Sequence, residues 1–176
     1  MKIVIARDYE DLSRTAADIV LGEMLHDRRV NMALTAGASP AGTYEIVTER
    51  LRGNGGLDLM LIGLGADGHF CGNMPYATRF DQETYTYEFK DSYPWYEDAL
   101  RLLPDPAEVP SHVVTMGAAM LAKVRRLVLI VSGAAKADAL AGMLEREIST
   151  DFPATILRTH PNLVVVADRE AASRLG

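Results

Sequence analysis

Apolar residues along this chain gather in short unbroken runs, and the stretches between many of those runs carry apolar residues at helical spacing. Runs of that length and composition mark strands buried on both faces of a parallel sheet. Lys2 to Ala6 reads as the first strand, Val30 to Leu34 as the second, Leu57 to Ile62 as a central one, Leu127 to Val131 as a later one and Leu163 to Ala167 as the last. Tyr9 to roughly Asp27 reads as an amphipathic helix with Leu12, Ala16, Ile19, Val20 and Met24 inward, and His26 near its end suits the helix dipole. Ala41 to Leu51 reads as a second helix with Tyr44, Val47 and Leu51 on one face. Tyr76 to Pro110 has a different texture. Within it TYTYEF alternates like a strand and SYPWYEDALRLL has a short helical pattern, so the region reads as an irregular excursion on the sheet edge. His112 to Gly117 reads as a short strand ahead of a helix, with no evident partner for His112. Ser132-Gly133-Ala134-Ala135 opens a helix with Lys136 in its first turn; His160-Pro161 stops a short helix, and Asp168 caps a final one. Strands alternating with helices in this way predict a three-layer α/β/α, Rossmann-like fold on a mostly parallel sheet.

Composition narrows the class. With 176 residues, 48% of them hydrophobic, and glycines and prolines scattered at element boundaries, the chain is expected to form one domain with a sizeable core and no internal repeat. A net charge of −6 and a pI near 5.2 argue against nucleic-acid binding as the main activity, because that needs a concentrated basic face. The start, MKIVIARDYEDL, turns acidic too soon for a signal peptide, and no apolar run approaches a bilayer span; a soluble cytoplasmic protein without a membrane partner is the expectation. Cys71 is the single cysteine, so neither an internal disulfide nor a cysteine-based zinc site is available, and it reads as a small buried residue.

The candidate chemistry lies in LDLMLIGLGADGHFCGNMP, Leu57 to Pro75. Gly63, Gly65 and Gly68 break the central strand, and Asp67 and His69 stand at its carboxyl end, where open α/β sheets place ligands. The glycine spacing matches a dinucleotide fingerprint, but Gly72 and Pro75 follow too soon for the helix such a site requires. A plain structural turn accounts for the glycines, though not for an acid and an imidazole set together, a pairing suited to proton transfer. At Gly37-Ala38-Ser39-Pro40, Ser39 and Pro40 make an N-cap and N1 pair, and the small residues ahead of them would equally admit a phosphate to free helix amides. Lys136 in a first helical turn opposes the dipole unless an anion sits there; a solvated surface lysine is the plainer alternative.

GLGADGHFCGNMP resembles the signature of the glucosamine-6-phosphate deaminase/isomerase family and its 6-phosphogluconolactonase relatives, most closely a deaminase-like branch. The resemblance implies a phosphorylated sugar as ligand, with neither metal nor organic cofactor, and a family in which homo-oligomers are common. It implies that His69 carries the proton that opens the sugar ring, with Asp67 orienting the imidazole or contacting a hydroxyl. It implies phosphate contacts from Gly37, Ala38 and Ser39, from Lys136 in Ser-Gly-x-x-Lys-Ala, and from an arginine. By offset from Val109-Pro110 that arginine is Arg101, with Arg79 as the alternative; an exposed helix arginine would explain either. Two departures stand out. Met74 occupies the place of a family glutamate that works with the histidine. Relatives also carry several dozen more residues between Gly53 and Leu57, including the Asp that moves a proton between C1 and C2; either that segment is lost or the chain as written skips it. The main expectation is therefore an amino-sugar-phosphate deaminase/isomerase. A 6-phosphogluconolactonase-like hydrolase and a sugar-phosphate-binding protein without turnover are the alternatives.

Overall fold

The computed structural model describes residues 1–8, 11, 15, 32–34, 57–93, 95–103, 105, 107 and 109–176. Within them the apolar runs become strands: β1 (Lys2–Ala6), β2 (Met32–Leu34), β3 (Leu59–Gly63), β4 (Thr84–Glu88), β5 (His112–Met116), β6 (Arg126–Val131) and β7 (Leu163–Asp168). The helix expected from Tyr9 is described only at Asp11 and Thr15, both helical, and the Asp8 carboxylate accepts the Asp11 N–H at 2.8 Å as an N-cap does. His26, Gly37, Ala38, Ser39 and the helix expected over Ala41 to Leu51 lie outside the described residues.

Five strands form one parallel sheet in the order β1-β7-β6-β3-β2. Successive side chains of a strand point to opposite faces, so the continuous apolar runs supply two cores. Met60, Ile62, Leu127, Leu129, Val131, Val165 and Ala167 belong to one; Leu59, Val128 and Val166, with Ala6, belong to the other. Leu59, Leu127, Val128, Leu129 and Val165 are wholly buried, and each such side chain is worth about 1.5–3 kcal/mol of hydrophobic stabilisation. Both faces are thus covered, which gives the α/β, Rossmann-like fold expected from the sequence.

Three helices are described: α1 (Tyr96–Leu102), α2 (Ala118–Leu121) and α3 (Ala137–Glu145). In the Tyr76 to Pro110 region the strand-like TYTYEF becomes β4 and the helical pattern of SYPWYEDALRLL becomes α1. β4 pairs antiparallel with β5, from Thr84 opposite Met116 to Glu88 opposite His112, as a separate two-stranded ribbon. Two further expectations are corrected. Lys136 does not lie in the first turn of an α-helix: Gly133, at φ 88, bends the chain into a tighter 3₁₀ turn, Ala134–Lys136, and Lys136 is the N-cap of α3. No helix follows Asp168 either. Bonds from Ser173 N–H to the Glu170 carbonyl and from Leu175 N–H to that of Ala172 close successive tight turns, while Ala171 and Ala172 are drawn into the core. His160, by contrast, does close a helix, the 3₁₀ stretch Pro153–Thr159. It is buried, with Nε2 2.8 Å from the Val124 carbonyl and Nδ1 accepting the Asn162 N–H at 3.1 Å, so both ring nitrogens are engaged in structure.

The strand order positions the site. β2, β3 and β6 are neighbours running the same way, with Leu34 beside Leu61 and Gly63 beside Ile130, so their carboxyl ends share one rim of the sheet. Asp67 and His69 follow β3, and Ser132 to Lys136 follow β6.

Candidate active site

β3 ends at Gly63, and the chain closes at once into a tight turn: Gly68 N–H donates to the Gly65 carbonyl at 3.0 Å, and Gly65 N–H to the His69 carbonyl at 2.8 Å. Gly68 has φ +85, a region that costs an L side chain strain, and a Cβ there would meet the Phe152 ring at 2.7 Å. Its carbonyl accepts Ala154 N–H at 2.8 Å, so the turn is docked on the segment that follows α3. Phe70, fully buried, anchors the exit.

This closure makes Asp67 and His69 touch. Asp67 Oδ1 accepts the His69 backbone N–H at 3.1 Å and lies 2.6 Å from the imidazole Nδ1. A carboxylate accepts only, so Nδ1 carries the proton, and in the neutral ring Nε2 keeps its lone pair. The imidazole lies over Gly65, where a Cβ would be 2.0 Å from Nδ1; the glycine is there to make room for the ring. Both side chains remain about one-third exposed, 30% for His69 and 37% for Asp67, so a ligand can reach them from the rim. Burial pushes the Asp67 carboxyl up, but the hydrogen bond and charge of His69 outweigh it and hold Asp67 below the ordinary carboxylate range. A group whose folded pKa is depressed stabilises above its unfolded value and loses that contribution as pH falls through the folded one. The Tm gap between wild type and Asp67→Asn should therefore be steady above about pH 5 and close as the pH falls below about 4, measured by thermal unfolding across that range.

The rest of the loop is fastened to the ribbon. Gly72 N–H donates to Thr115 Oγ1 at 2.9 Å. The buried Asn73 donates through Nδ2 to the carbonyls of Phe70 at 3.1 Å and Met116 at 2.8 Å, and accepts the Tyr85 hydroxyl at 3.1 Å. Burial pushes the Cys71 thiol up to about 12, so it is not a nucleophile at neutral pH. Met74, next to Asn73, brings no charge to the loop.

The other sequence candidates are distributed as follows. Lys136 stands on the same rim as His69, one strand over. Arg101 is exposed in the last turn of α1, whose Tyr96 ring lies 5.7 Å from that of Phe89, at the end of the ribbon remote from Asn73. Arg79 lies nearer the loop, for its backbone N–H and its charge act on the Tyr85 hydroxyl that bonds Asn73. Gly37, Ala38 and Ser39 follow β2, the neighbour of β3, but are outside the described residues. His112 is exposed, with Nδ1 3.1 Å from the Ser111 hydroxyl. Sequence reasoning treated Gly65 as a turn residue only and did not single out Phe152; a glycine four residues ahead of the histidine, in a turn that folds back on itself, was the available signal for the first. Among the described residues no three His, Cys, Asp or Glu side chains gather as metal ligands, and no helix is long and apolar enough to cross a membrane.

An imidazole oriented by a carboxylate at the carboxyl rim of a parallel sheet defines an acid–base site on a Rossmann-like scaffold. Residues 4–165 match the family described as glucosamine-6-phosphate isomerases/6-phosphogluconolactonase, and the chain belongs to that family. It is 27% identical to the glucosamine-6-phosphate deaminase of a Geobacillus species over 242 positions, covering 98% of this chain and 95% of that protein. That span exceeds the 176 residues present, so the relative carries residues for which this chain has no counterpart. A glucosamine-6-phosphate deaminase of an Exiguobacterium species is 39% identical over 135 residues, covering 76% of this chain; there the match spans half of the relative's length. Two solved structures share the fold. A monomeric glucosamine-6-phosphate deaminase superposes with a TM-score of 0.84 at 23% identity, over 99% of this chain and 100% of its own. The 6-phosphogluconolactonase from Trypanosoma cruzi does so with a TM-score of 0.71 at 14% identity, over 99% of this chain and 96% of its own.

Proposed function

We propose that this protein is a glucosamine-6-phosphate deaminase/isomerase whose ring-opening step is carried by His69. The observation behind the proposal is the 2.6 Å contact between Asp67 and His69 Nδ1, which presents Nε2 as a base on the rim that Lys136 shares. In ring opening Nε2 takes the proton of the C1 hydroxyl, the bond from C1 to the ring oxygen breaks, and the ring oxygen receives the proton back from the imidazolium. Asp67 stabilises the charge that passes through the ring. Lys136, with Gly37, Ala38 and Ser39, would hold the phosphate, and Arg101 or Arg79 would add a second cation. No side chain in this route calls for a metal or an organic cofactor. Cytoplasmic location belongs to the same reading, since a phosphorylated sugar does not cross a bilayer unaided, and so does assembly into a homo-oligomer.

Deamination needs a further acid to move a proton between C1 and C2. We place the missing stretch that supplies it in relatives between Gly53 and Leu57. That gap, with Met74 at the loop's acidic position, favours a second reading: hydrolysis of a 6-phosphogluconolactone, which needs only one imidazole to activate water. Ammonia and fructose 6-phosphate formed from glucosamine 6-phosphate would establish the first reaction, and acid released from the lactone the second. Binding of both sugar phosphates without turnover would identify a binding protein. Lys136→Ala tests the phosphate end in each case. KM or Kd for the phosphorylated ligand should rise roughly tenfold to a hundredfold, the worth of one charge-assisted hydrogen bond, and unchanged affinity would place the phosphate elsewhere.

A further inference from the structure

Asp168 is charged in a place that its own strand does not explain. It ends β7, beside β6, and only 4% of its surface is exposed. A carboxylate taken out of water must be fully hydrogen-bonded. Its donors come from two segments. Ala171 N–H reaches Oδ1 at 2.8 Å, a local bond within the closing turn. The Ser132 hydroxyl reaches Oδ2 at 2.7 Å, and Gly133 N–H lies 3.1 and 3.0 Å from the two oxygens, across to the loop that leaves β6. Burial pushes the carboxyl up, but the donors from Ala171, Ser132 and Gly133 outweigh it and hold it below the ordinary carboxylate range, so it is an anion at neutral pH.

The loop it grips is the one that delivers Lys136. Gly133, at φ 88, makes the bend, and Lys136 N–H bonds back to its carbonyl at 3.0 Å. A negative charge beside an anion-binding segment would weaken it on Coulomb grounds alone; here the carboxylate is saturated by its own chain, so what it contributes is geometry. Resting on the sugar-phosphate reading of the site, we infer that Asp168 is a positioning residue, which sets the stance of the turn ahead of Lys136 and thereby the affinity for the substrate's phosphate.

Asp168→Asn keeps the size and one acceptor oxygen, and Ser132→Ala removes one donor while leaving the carboxylate. Both are compared with wild type by steady-state kinetics on glucosamine 6-phosphate, calorimetric titration with inorganic phosphate, and Tm. In Asp168→Asn the KM should rise about tenfold and phosphate binding should weaken by the same factor, with kcat held within about twofold; Ser132→Ala should move both affinities the same way by less. A lowered Tm with KM and phosphate affinity unchanged would make Asp168 a structural brace and overturn the inference, as would a loss confined to kcat. If wild type binds phosphate but turns over no sugar, the proposed reaction fails while the phosphate titration still decides the role of Asp168. If wild type binds neither probe, both fail.

Discussion

His69→Ala should lower kcat/KM for glucosamine 6-phosphate by roughly 10³-fold or more while leaving the protein folded. The magnitude follows from the role: a positioned general acid–base contributes about 10²–10⁴-fold, and among the described residues of the loop no other side chain can exchange a proton at that position. Asp67 cannot substitute, because it contacts the ring at Nδ1 and does not occupy the position of Nε2, where the proton is exchanged. Met74 has no proton to give. The fold should survive, since the ring is 30% exposed and the turn is closed by backbone bonds of Gly65 and Gly68 that do not involve it. Steady-state rates paired with a circular-dichroism melt decide the matter; a variant keeping a tenth of the wild-type rate would show that another group opens the ring.

Gly65→Ala should be nearly as damaging, although it adds one methyl group and removes no chemistry. That methyl would be 2.0 Å from His69 Nδ1, 2.2 Å from Cε1 and 2.6 Å from Cγ. The ring must swing off, and the 2.6 Å bond to Asp67 breaks with it. Displacing a catalytic group by about 1 Å costs on the order of 10²-fold, and a crowding substitution of this kind costs about 1–3 kcal/mol of stability. The kinetic loss should therefore be large and the Tm loss moderate. Full activity in Gly65→Ala would mean that the imidazole works from another resting place and that its contact with Asp67 is incidental.

Those two residues also mark how far the sequence could be read. The strands were legible because runs such as RLVLIV at β6 and LVVVAD at β7 are apolar without alternation, and only burial on both faces produces that pattern. Asp67 and His69 were legible because glycines at 63, 65 and 68 mark a turn at a strand's carboxyl end. Partnerships across long separations were not. TYTYE and HVVTM each read as extended, but nothing one-dimensional states that they pair with each other rather than join the main sheet. Asp168 shows the same limit: the sequence predicts a helix capped by it, of which only the local bond to Ala171 is found, whereas its grip on Ser132 and Gly133 spans more than thirty residues. The backbone of Lys136 was misread for a related reason, since the choice between an α and a 3₁₀ first turn depends on the bend at Gly133 rather than on the helical pattern that follows.

The fastening of the loop after β3 carries a thermal consequence. Loops usually open by themselves at small free-energy cost, ahead of the core. This one is tied to the segment after α3 through Gly68 and Ala154, and to the ribbon through Gly72, Asn73, Thr115 and Met116. To open, it must release both. Warming should accordingly extinguish turnover and tertiary packing in a single cooperative event, with no intervening temperature band in which a folded but idle enzyme accumulates.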